Sequence, residues 1–325
     1  DEGSLGELRV QRTRKILEKT DIAVLVVDTT EGFRRVDEEL TGLFKERSIP
    51  CLIALNKSDI PEDSEDHSIG EEVPGLLQRI AKNSDGMIHV SALTGDGIDE
   101  LKNRIAALKP EGEEGRLVAD KIKPGELVLL VVPIDKAAPK GRLILPQQQT
   151  IRDILDSNAM CVVTKETQLT ETLKSLGKKP RMVITDSQVF GKVSADTPAD
   201  IPLTSFSILM ARYKGFLESA VKGVAAIETL QEGDTILIAE GCTHHRQCND
   251  IGSVKIPRWL RNHVGQNVNI ELSSGADFPE DLSDYRLVIH CGGCMLPGRE
   301  VLYRMKCAKD QGVPMTNYGT AIAYM

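Results

Sequence analysis

Three cysteines and two histidines lie in the last third of this 325-residue chain at spacings that suit metal chemistry. Cys242 is followed after one residue by His244, and His290 directly precedes Cys291-Gly-Gly-Cys294. The two glycines let one turn present both thiolates to a single metal centre. Three sulfurs with up to two imidazoles suit zinc or an iron-sulfur cluster and disfavour magnesium or calcium. These five residues are therefore candidate metal ligands.

The residues before each half of this motif predict how the two halves meet. An apolar run over 234–239 ends just before Cys242, and a second over 285–290 ends just before Cys291. Both runs have the length and composition of buried strands. Ligands bind at the carboxyl edge of open parallel sheets, so two such loops from nearby strands are expected to converge there. The alternative is that the cysteines are small core residues and the histidines are satisfied polar groups.

Zinc and iron-sulfur both remain open on the residues alone. Structural zinc usually supports small, loop-rich domains, whereas this segment alternates strands and helices with its own apolar core, which slightly favours iron-sulfur. Three cysteines would hold three irons of a [4Fe-4S] cluster. The fourth iron would then take a weaker ligand, for which His244, His290, Glu240 and water are the candidates.

A second set of candidate residues follows two apolar runs near the start of the chain. Asn56, Lys57 and Asp59 follow the run over 51–55, and Ser91 and Ala92 follow the run over 87–90. A carboxylate after a strand can accept two hydrogen bonds from the N1-H and 2-amino groups of guanine, which adenine does not offer. Asp59 is predicted to read the base in this way.

The other residues of this set have supporting roles in the same prediction. Asn56 is expected to tie the loop together, Lys57 to lay its stem over the base, and the Ala92 N-H to meet the guanine oxygen. Ser91 and Ala92 lie at a strand end one helix further along the chain. The spacing of both loops at strand ends predicts a guanine-nucleotide site.

The phosphate-binding sequence that normally accompanies such loops does not occur. The chain contains no Gly-x-x-x-x-Gly-Lys-Ser/Thr, the loop that cradles the phosphates and helps to seat Mg²⁺. Its opening residues 1–9 read as a glycine-rich loop entering a helix. We expect that a phosphate-binding half of about 80 residues is either truncated or disordered. This chain alone is expected not to hydrolyse GTP.

The elements that must position these residues predict an α/β fold with mainly parallel sheets flanked by helices. Strand and helix patterns alternate up to residue 108, and a second cycle runs from 127 to 184. A glycine-punctuated polar segment, 110–116, and a proline-containing one, 194–202, interrupt the pattern. Three consecutive domains are predicted, at 1–110, 117–200 and 201–325. The small middle sheet has an exposed edge, which suggests pairing with a second copy.

Composition narrows the classes of partner and compartment. The formal charge is −8, with 15 basic against 22 acidic residues in 1–109, and no broad basic face for nucleic acid is visible. The longest apolar stretch, around 127–134, is too short to span a bilayer. Seven cysteines scattered over a long chain argue against a secreted disulfide framework. The cytoplasm is the expected compartment, with no nucleic-acid or membrane partner.

Taken together, the two motifs resemble those of the [FeFe]-hydrogenase maturation GTPases, the HydF family. Asn56, Lys57 and Asp59 match that family's base-specificity motif, and Ser91 and Ala92 match its last nucleotide loop. The cluster motif of the family is matched by Cys242, His244, His290, Cys291 and Cys294. The likeness covers the whole chain, and the absent phosphate loop is its one departure.

The resemblance implies a role as well as a fold. It implies a GTPase domain that binds GTP with Mg²⁺ in the full-length protein, a dimerisation domain at 117–200, and a domain at 201–325 that binds a [4Fe-4S] cluster through three cysteines. Members of the family are scaffolds or carriers for the two-iron precursor of the hydrogenase active site. The implied partners are radical-SAM maturases, the apo-[FeFe]-hydrogenase and a second copy of the chain. The GTPase part is expected to control association with these partners.

Two other functions remain as alternatives. The first is an enzyme that uses the open iron as a Lewis acid on a small hydroxy acid, which would need a carboxylate-binding arginine cluster and a general base beside the cluster. The second is an RNA-binding assembly GTPase with a structural zinc, against which the acidic balance counts.

Overall fold

A computed structural model describes residues 16–17, 20–61, 75–108, 116–134, 143–242, 250–275 and 277–325. Within these ranges all strands pair in parallel and α-helices connect them, so the predicted α/β class is confirmed. The chain divides into two compact units, Asp1–Gly112 and Glu113–Met325. No helix in the described ranges is both long and apolar enough to cross a membrane.

The first unit contains a three-stranded parallel sheet in the order β1-β2-β3. Its strands are β1 (Ala23–Asp28), β2 (Cys51–Asn56) and β3 (Met87–His89), and its helices are α1 (Arg35–Glu46), α2 (Leu76–Lys82) and α3 (Ile98–Ala107). The central strand β2 is apolar on both faces because helices cover the sheet, and Cys51 through Ala54 are fully buried. Registers align Asp28 with Asn56 and Leu55 with His89, which brings all three carboxyl ends to one edge.

The second unit begins with a four-stranded parallel sheet in the order β5-β4-β6-β7. The strands are β4 (Leu127–Val131), β5 (Met160–Thr164), β6 (Met182–Thr185) and β7 (Leu203–Ser205). Central β4 is buried along its whole length, whereas edge strand β5 exposes Met160 and Val163. The sequence pattern predicted the first three strands. Strand β7 lies beyond the predicted domain boundary at residue 200 and pairs with β6.

A second four-stranded parallel sheet completes this unit, in the order β11-β10-β8-β9. Its strands are β8 (Thr235–Glu240), β9 (Asn269–Ser274), β10 (Leu287–His290) and β11 (Met315–Asn317). The helices of the unit, in chain order, are α4 (Leu145–Asp156), α5 (Leu169–Ser175), α6 (Phe190–Asp196), α7 (Phe206–Tyr213), α8 (Leu217–Val224), α9 (Ile256–Val264), α10 (Gly298–Asp310) and α11 (Tyr318–Tyr324). Strands β8 and β10 are buried, and both end at the edge where the cysteine loops begin.

Candidate functional site

The structure brings the two cysteine loops to neighbouring strand ends. Strands β8 and β10 pair in register, with Ala239 opposite His290, and the Cys291 N-H donates to the Ala239 carbonyl at 2.9 Å. Cys242 therefore leaves one strand beside the point where Cys291 leaves the other. This placement agrees with the convergence that the strand patterns predicted.

The sulfur of Cys291 is held by the backbone of both loops. Its Sγ accepts hydrogen bonds from the Gly241 N-H at 3.1 Å and from the Gly293 N-H at 3.3 Å. Burial raises the pKa of this thiol to about 12; the neighbouring Cys242 and Cys294 thiols also raise it, and the two N-H groups act in the opposite direction. Cys291 is therefore a neutral thiol without a metal, and the N-H groups are placed to stabilise a thiolate ligand.

Cys294, at the other end of the turn, faces the middle sheet and its helix α7. It packs against the apolar cluster that contains Phe206, Leu209 and Met210. A Cβ on Gly292 would lie 3.6 Å from the Cα and Oγ of Ser207, so the turn runs closely over α7. Burial raises the pKa of Cys294, while the Lys214 ammonium acts to lower it. The turn thus belongs to the contact between the two sheets of the second unit.

His290 is completely buried beneath the turn, and both of its ring nitrogens have partners. Nδ1 lies 2.7 Å from the Cys291 carbonyl, and Nε2 lies 3.3 Å from Nη1 of Arg304. Burial lowers the pKa of His290 to about 4, and the charge of Arg304 lowers it further. The imidazole is consequently neutral at physiological pH.

A buried ion pair that the sequence did not reveal supports His290. Arg304 and Glu300 lie on α10 with exposures of 0% and 3%, and Arg304 Nε donates to Glu300 Oε1 at 2.7 Å. The guanidinium also donates to the Gly275 carbonyl and lies 5.0 Å from the centre of the Phe278 ring. In the sequence the pair has the i,i+4 spacing of an ordinary exposed helix pair, so no pattern marks it as buried.

Glu240 is a second buried acid at this edge, directly before Gly241. It is 2% exposed, and Tyr318 donates to its Oε1 at 3.3 Å. A π-helical turn, Ile251–Lys255, packs on this pair, and a Cβ on Gly252 would lie 2.3 Å from Tyr318 Oη and 2.4 Å from Glu240 Oε1. A side chain at position 252 would therefore force Tyr318 or Glu240 to move. His244 lies in 243–249, outside the described residues.

The donor set at this edge suits iron-sulfur chemistry, because it offers soft sulfurs with N-H groups directed at one of them. Within the described ranges, no group of three or more His, Cys, Asp or Glu side chains is arranged as a preformed metal site. Metal binding by Cys242, Cys291 and Cys294 therefore remains a prediction.

At the nucleotide edge of the first unit, Asn56 links the two predicted guanine loops. Its Oδ1 accepts from the Ala92 N-H at 3.0 Å, so this amide, assigned above to the guanine oxygen, is engaged by Asn56. Ser91 is fully buried, and its Oγ accepts from the Thr94 N-H at 3.1 Å. Asp59 is exposed. The loops are thus tied to each other while the predicted base-reading carboxylate faces solvent.

Asp28, at the end of β1, belongs to the same edge. Its carboxylate pairs with Lys57 Nζ at 2.6 Å and accepts from both the N-H and the hydroxyl of Thr30. The Lys57 hydrogen bond, with those of Thr30, lowers the pKa of Asp28 to about 2. Lys57 itself has a positive φ of 67°. Asp28 therefore fixes the lysine predicted to cover the base.

Comparison with known proteins identifies the parts of the chain. Residues 117–215 match the family profile described as the hydrogen maturase F dimerization domain, and 218–325 match its tetramerization domain. Residues 10–111 match the elongation factor Tu GTP binding domain. The dimerization and tetramerization profiles indicate an oligomer.

Curated relatives named as GTPases match about a third of the chain. The chain is 27% identical to GTPase Era of Thermotoga maritima over 110 residues, 34% of this chain and 35% of that protein. It is 32% identical to GTPase Der of Lactobacillus delbrueckii subsp. bulgaricus over 98 residues, 30% and 22% of the two chains. Identity to the tRNA modification GTPase MnmE of Roseiflexus sp. is 35% over 116 residues, 35% and 24%.

The chain spans about a third or less of the length of these relatives. The two hydrogen maturase F profiles, in contrast, cover nearly all of the second unit and follow the GTP-binding match without overlap. From this combination, the chain belongs to the hydrogen maturase F family of hydrogenase-maturation GTPases.

Proposed function

We propose that this protein is a scaffold or carrier in maturation of the [FeFe]-hydrogenase active site, with a [4Fe-4S] cluster held by Cys242, Cys291 and Cys294. The observation that supports it most is the pair of N-H groups from two loops directed at the Cys291 sulfur. When bound, such a cluster would supply an iron with an exchangeable coordination site. His244 and His290 are the predicted candidates for its fourth ligand.

The protein residues have separable roles in this proposal. The Gly241 and Gly293 amides hold the Cys291 sulfur from both sides, which favours a thiolate over a thiol when metal arrives. His290 and Glu240 are packed against neighbouring side chains on the inner side of the turn, and this packing would exclude water from that side. The turn faces α7 on one side, so cargo and partner proteins would approach from its outer side, where Met295 is exposed.

We propose a guanine-nucleotide site at the edge of the first unit. Asp59 would read the base, Lys57 would cover it, and Asn56 would hold the loop to Ser91 and Ala92. GTP with Mg²⁺ would bind only when a phosphate-binding half is present, and this chain by itself is proposed to be inactive in hydrolysis. Nucleotide state would control association with partners and would not drive bond formation at iron.

The remaining assignments are proposals of the same kind. Residues 1–110 would form the nucleotide domain, 117–200 the dimerisation domain and 201–325 the cluster domain of a cytoplasmic homodimer. Its partners would be radical-SAM maturases, which supply the two-iron precursor, and the apo-hydrogenase, which accepts it. Nucleic acid and membranes are not expected as partners.

Anaerobic loading with iron and sulfide tests the proposal. Wild-type protein should bind iron and sulfide in equal amounts and give the paramagnetic resonance of a reduced [4Fe-4S] cluster, which Cys291→Ser should lose. Cys307→Ser is the matched control, because Cys307 is another partly buried cysteine, on α10, outside the turn. Binding of a single zinc ion in place of iron, or normal loading of Cys291→Ser, would sink the proposal.

A further inference from the structure

Arg304 connects the three strand ends that surround the proposed cluster. Its Nη2 donates to the carbonyl of Gly275, directly after β9, and its Nη1 contacts His290 at the end of β10. Gly275 in turn donates its N-H to the Glu240 carbonyl at the end of β8, at 3.0 Å. One guanidinium therefore touches two strand ends directly and reaches the third through a single residue.

The chemistry of arginine fixes the state of His290. A guanidinium has only donors, so the contact at 3.3 Å requires a lone pair on His290 Nε2. The ring proton must then be on Nδ1, which donates to the Cys291 carbonyl at 2.7 Å. Both ring nitrogens of His290 have partners within the protein. The Phe216 ring packs against the imidazole in a T-shaped arrangement, with 6.1 Å between the ring centroids.

An iron bond to His290 would break one of these two contacts. If Nε2 turned to iron, the buried guanidinium would lose its acceptor; if Nδ1 did so, the Cys291 carbonyl would lose its donor. Leaving a buried polar group without its partner is costly, and it is more costly for a charged group. The present arrangement satisfies both groups while the ring remains behind Cys291.

We propose that Arg304 is a positioning residue that holds His290 as its Nδ1-H tautomer, so that His290 braces the Cys291–Cys294 turn and does not ligate iron. The inference rests on the proposed function only in taking Cys291 as a cluster ligand. It assigns His290 a role next to the cluster and leaves the exchangeable position to a group from outside this buried network.

Arginine is suited to this role because its planar fork serves several acceptors in fixed directions. Nε is bound by Glu300 at 2.7 Å, which sets the plane of the guanidinium and points the two Nη groups at His290 and Gly275. A lysine would keep the charge but could not maintain this geometry. Arg304→Lys therefore separates positioning from charge.

The first test uses the metal-free full chain labelled with ¹⁵N in histidine. Two-bond ¹H–¹⁵N couplings in the NMR spectrum should show His290 as a single Nδ1-H tautomer. The ring signals of His290 are assigned as those that disappear in His290→Asn. Arg304→Lys should shift the population so that the Nε2-H form is detected. Arg261→Lys is the matched control. Arg261 lies on a different helix, α9, and donates to the Val268 carbonyl, so this substitution should leave the His290 signals unchanged.

The second test uses the protein loaded with iron and sulfide. Hyperfine spectroscopy should show no directly iron-bound ¹⁵N from His290, and His290→Asn should keep its iron content, because an asparagine amide can donate where Nδ1 does. This measurement decides the question even if Arg304→Lys does not fold. A strong ¹⁵N coupling that disappears in His290→Asn would overturn the proposal.

Two other results would overturn it, namely an Nε2-H tautomer in the wild-type protein or a tautomer that Arg304→Lys leaves unchanged. Failure of the proposed function is distinguishable from these outcomes. A protein that binds no iron-sulfur cluster would refute the carrier role, whereas the tautomer is measured without metal.

Discussion

Each unit has candidate residues at the carboxyl ends of its parallel strands: Asn56 and Asp28 at the nucleotide edge of the first unit, and Cys291 and His290 at the cysteine edge of the second. The two edges are built from different contacts. At the nucleotide edge, Asn56 accepts a hydrogen bond from Ala92, and Asp28 pairs with the exposed Lys57. At the cysteine edge, His290 and Arg304 are completely buried. The proposed base-reading site can remain solvated, whereas the buried polar groups of the cysteine edge must satisfy one another.

This difference predicts a gradient of mutational effects. Exposed ion pairs contribute little to stability, while removing one member of a buried pair leaves an uncompensated charge. Substitutions at the cysteine edge should therefore cost more than comparable ones at the nucleotide edge.

The largest effect is expected for the buried pair on α10. Glu300→Gln should lower the free energy of unfolding by about 3–5 kcal/mol, because it leaves Arg304 charged inside the protein. Asp156→Asn is the matched control, since Asp156 forms an exposed i,i+4 pair with Arg152 and should change stability far less. Denaturant unfolding measures both. Replacing Glu300 and Arg304 together by Leu and Met should cost less than Glu300→Gln; a larger cost would contradict this account.

The next largest loss of stability is expected at two glycines, one at each edge, where a Cβ would come too close to neighbouring atoms. Gly252→Ala would place a Cβ against Tyr318 and Glu240, and Gly97→Ala would place one 2.2 Å from the His89 carbonyl at a φ of 72°. Each should destabilise by about 1–3 kcal/mol, measured by thermal unfolding. Gly191→Ala, on α6 with no atom within 4 Å, should be neutral or stabilising. Equal behaviour of all three variants would refute the packing argument.

A smaller effect is expected where Asn56 ties the two nucleotide loops. Asn56→Ala removes the acceptor of the Ala92 N-H and should cost about 1 kcal/mol. Hydrogen exchange of the Ala92 amide should become faster. The Val90 amide, which donates to the Leu55 carbonyl within the sheet, serves as the internal control and should keep its protection.

The smallest effect concerns the Asp28–Lys57 pair, and its pH dependence should appear only in acid. The pKa of Asp28 is lowered from 3.8 to about 2, chiefly by the hydrogen bond from Lys57. Because the folded value is below the unfolded one, the stabilisation is complete above pH 4 and is lost as the pH falls through 2. A carboxyl NMR titration measures this pKa directly. Lys57→Met should move it back toward 3.8; an unchanged value would disprove the pairing.

Much of the fold could be predicted from hydrophobic periodicity. Strands β1 to β6, β8 and β10 occur where continuous apolar runs predicted them, because buried parallel strands have that pattern. Strand β7 was missed because Leu203-Thr-Ser205 is short and half polar. Strand β9 was missed because the prediction relied on continuous apolar runs, whereas this edge strand alternates apolar and polar residues, as in Asn269-Ile-Glu-Leu, the pattern of a half-exposed strand.

The residues of the candidate sites were also only partly predictable from the sequence. Sequence spacing singled out the cysteines and the Asn56–Asp59 loop as candidates, because each follows an apolar strand pattern directly. It did not reveal Arg304 or Asp28, because their roles depend on tertiary contacts: Arg304 is buried by neighbouring elements, and Asp28 meets Lys57 across two strands.

The close approach of Gly292 to Ser207 couples the Cys291–Cys294 turn to helix α7. Helix α7 contributes Phe206, Leu209 and Met210 to the core of the middle sheet, and the same helix lies under the Cys291–Cys294 turn. Any widening of the turn must push this helix, and packed helices move as rigid bodies. The sheet whose family profile is named for dimerization is thus mechanically connected to the place where inorganic cargo would sit.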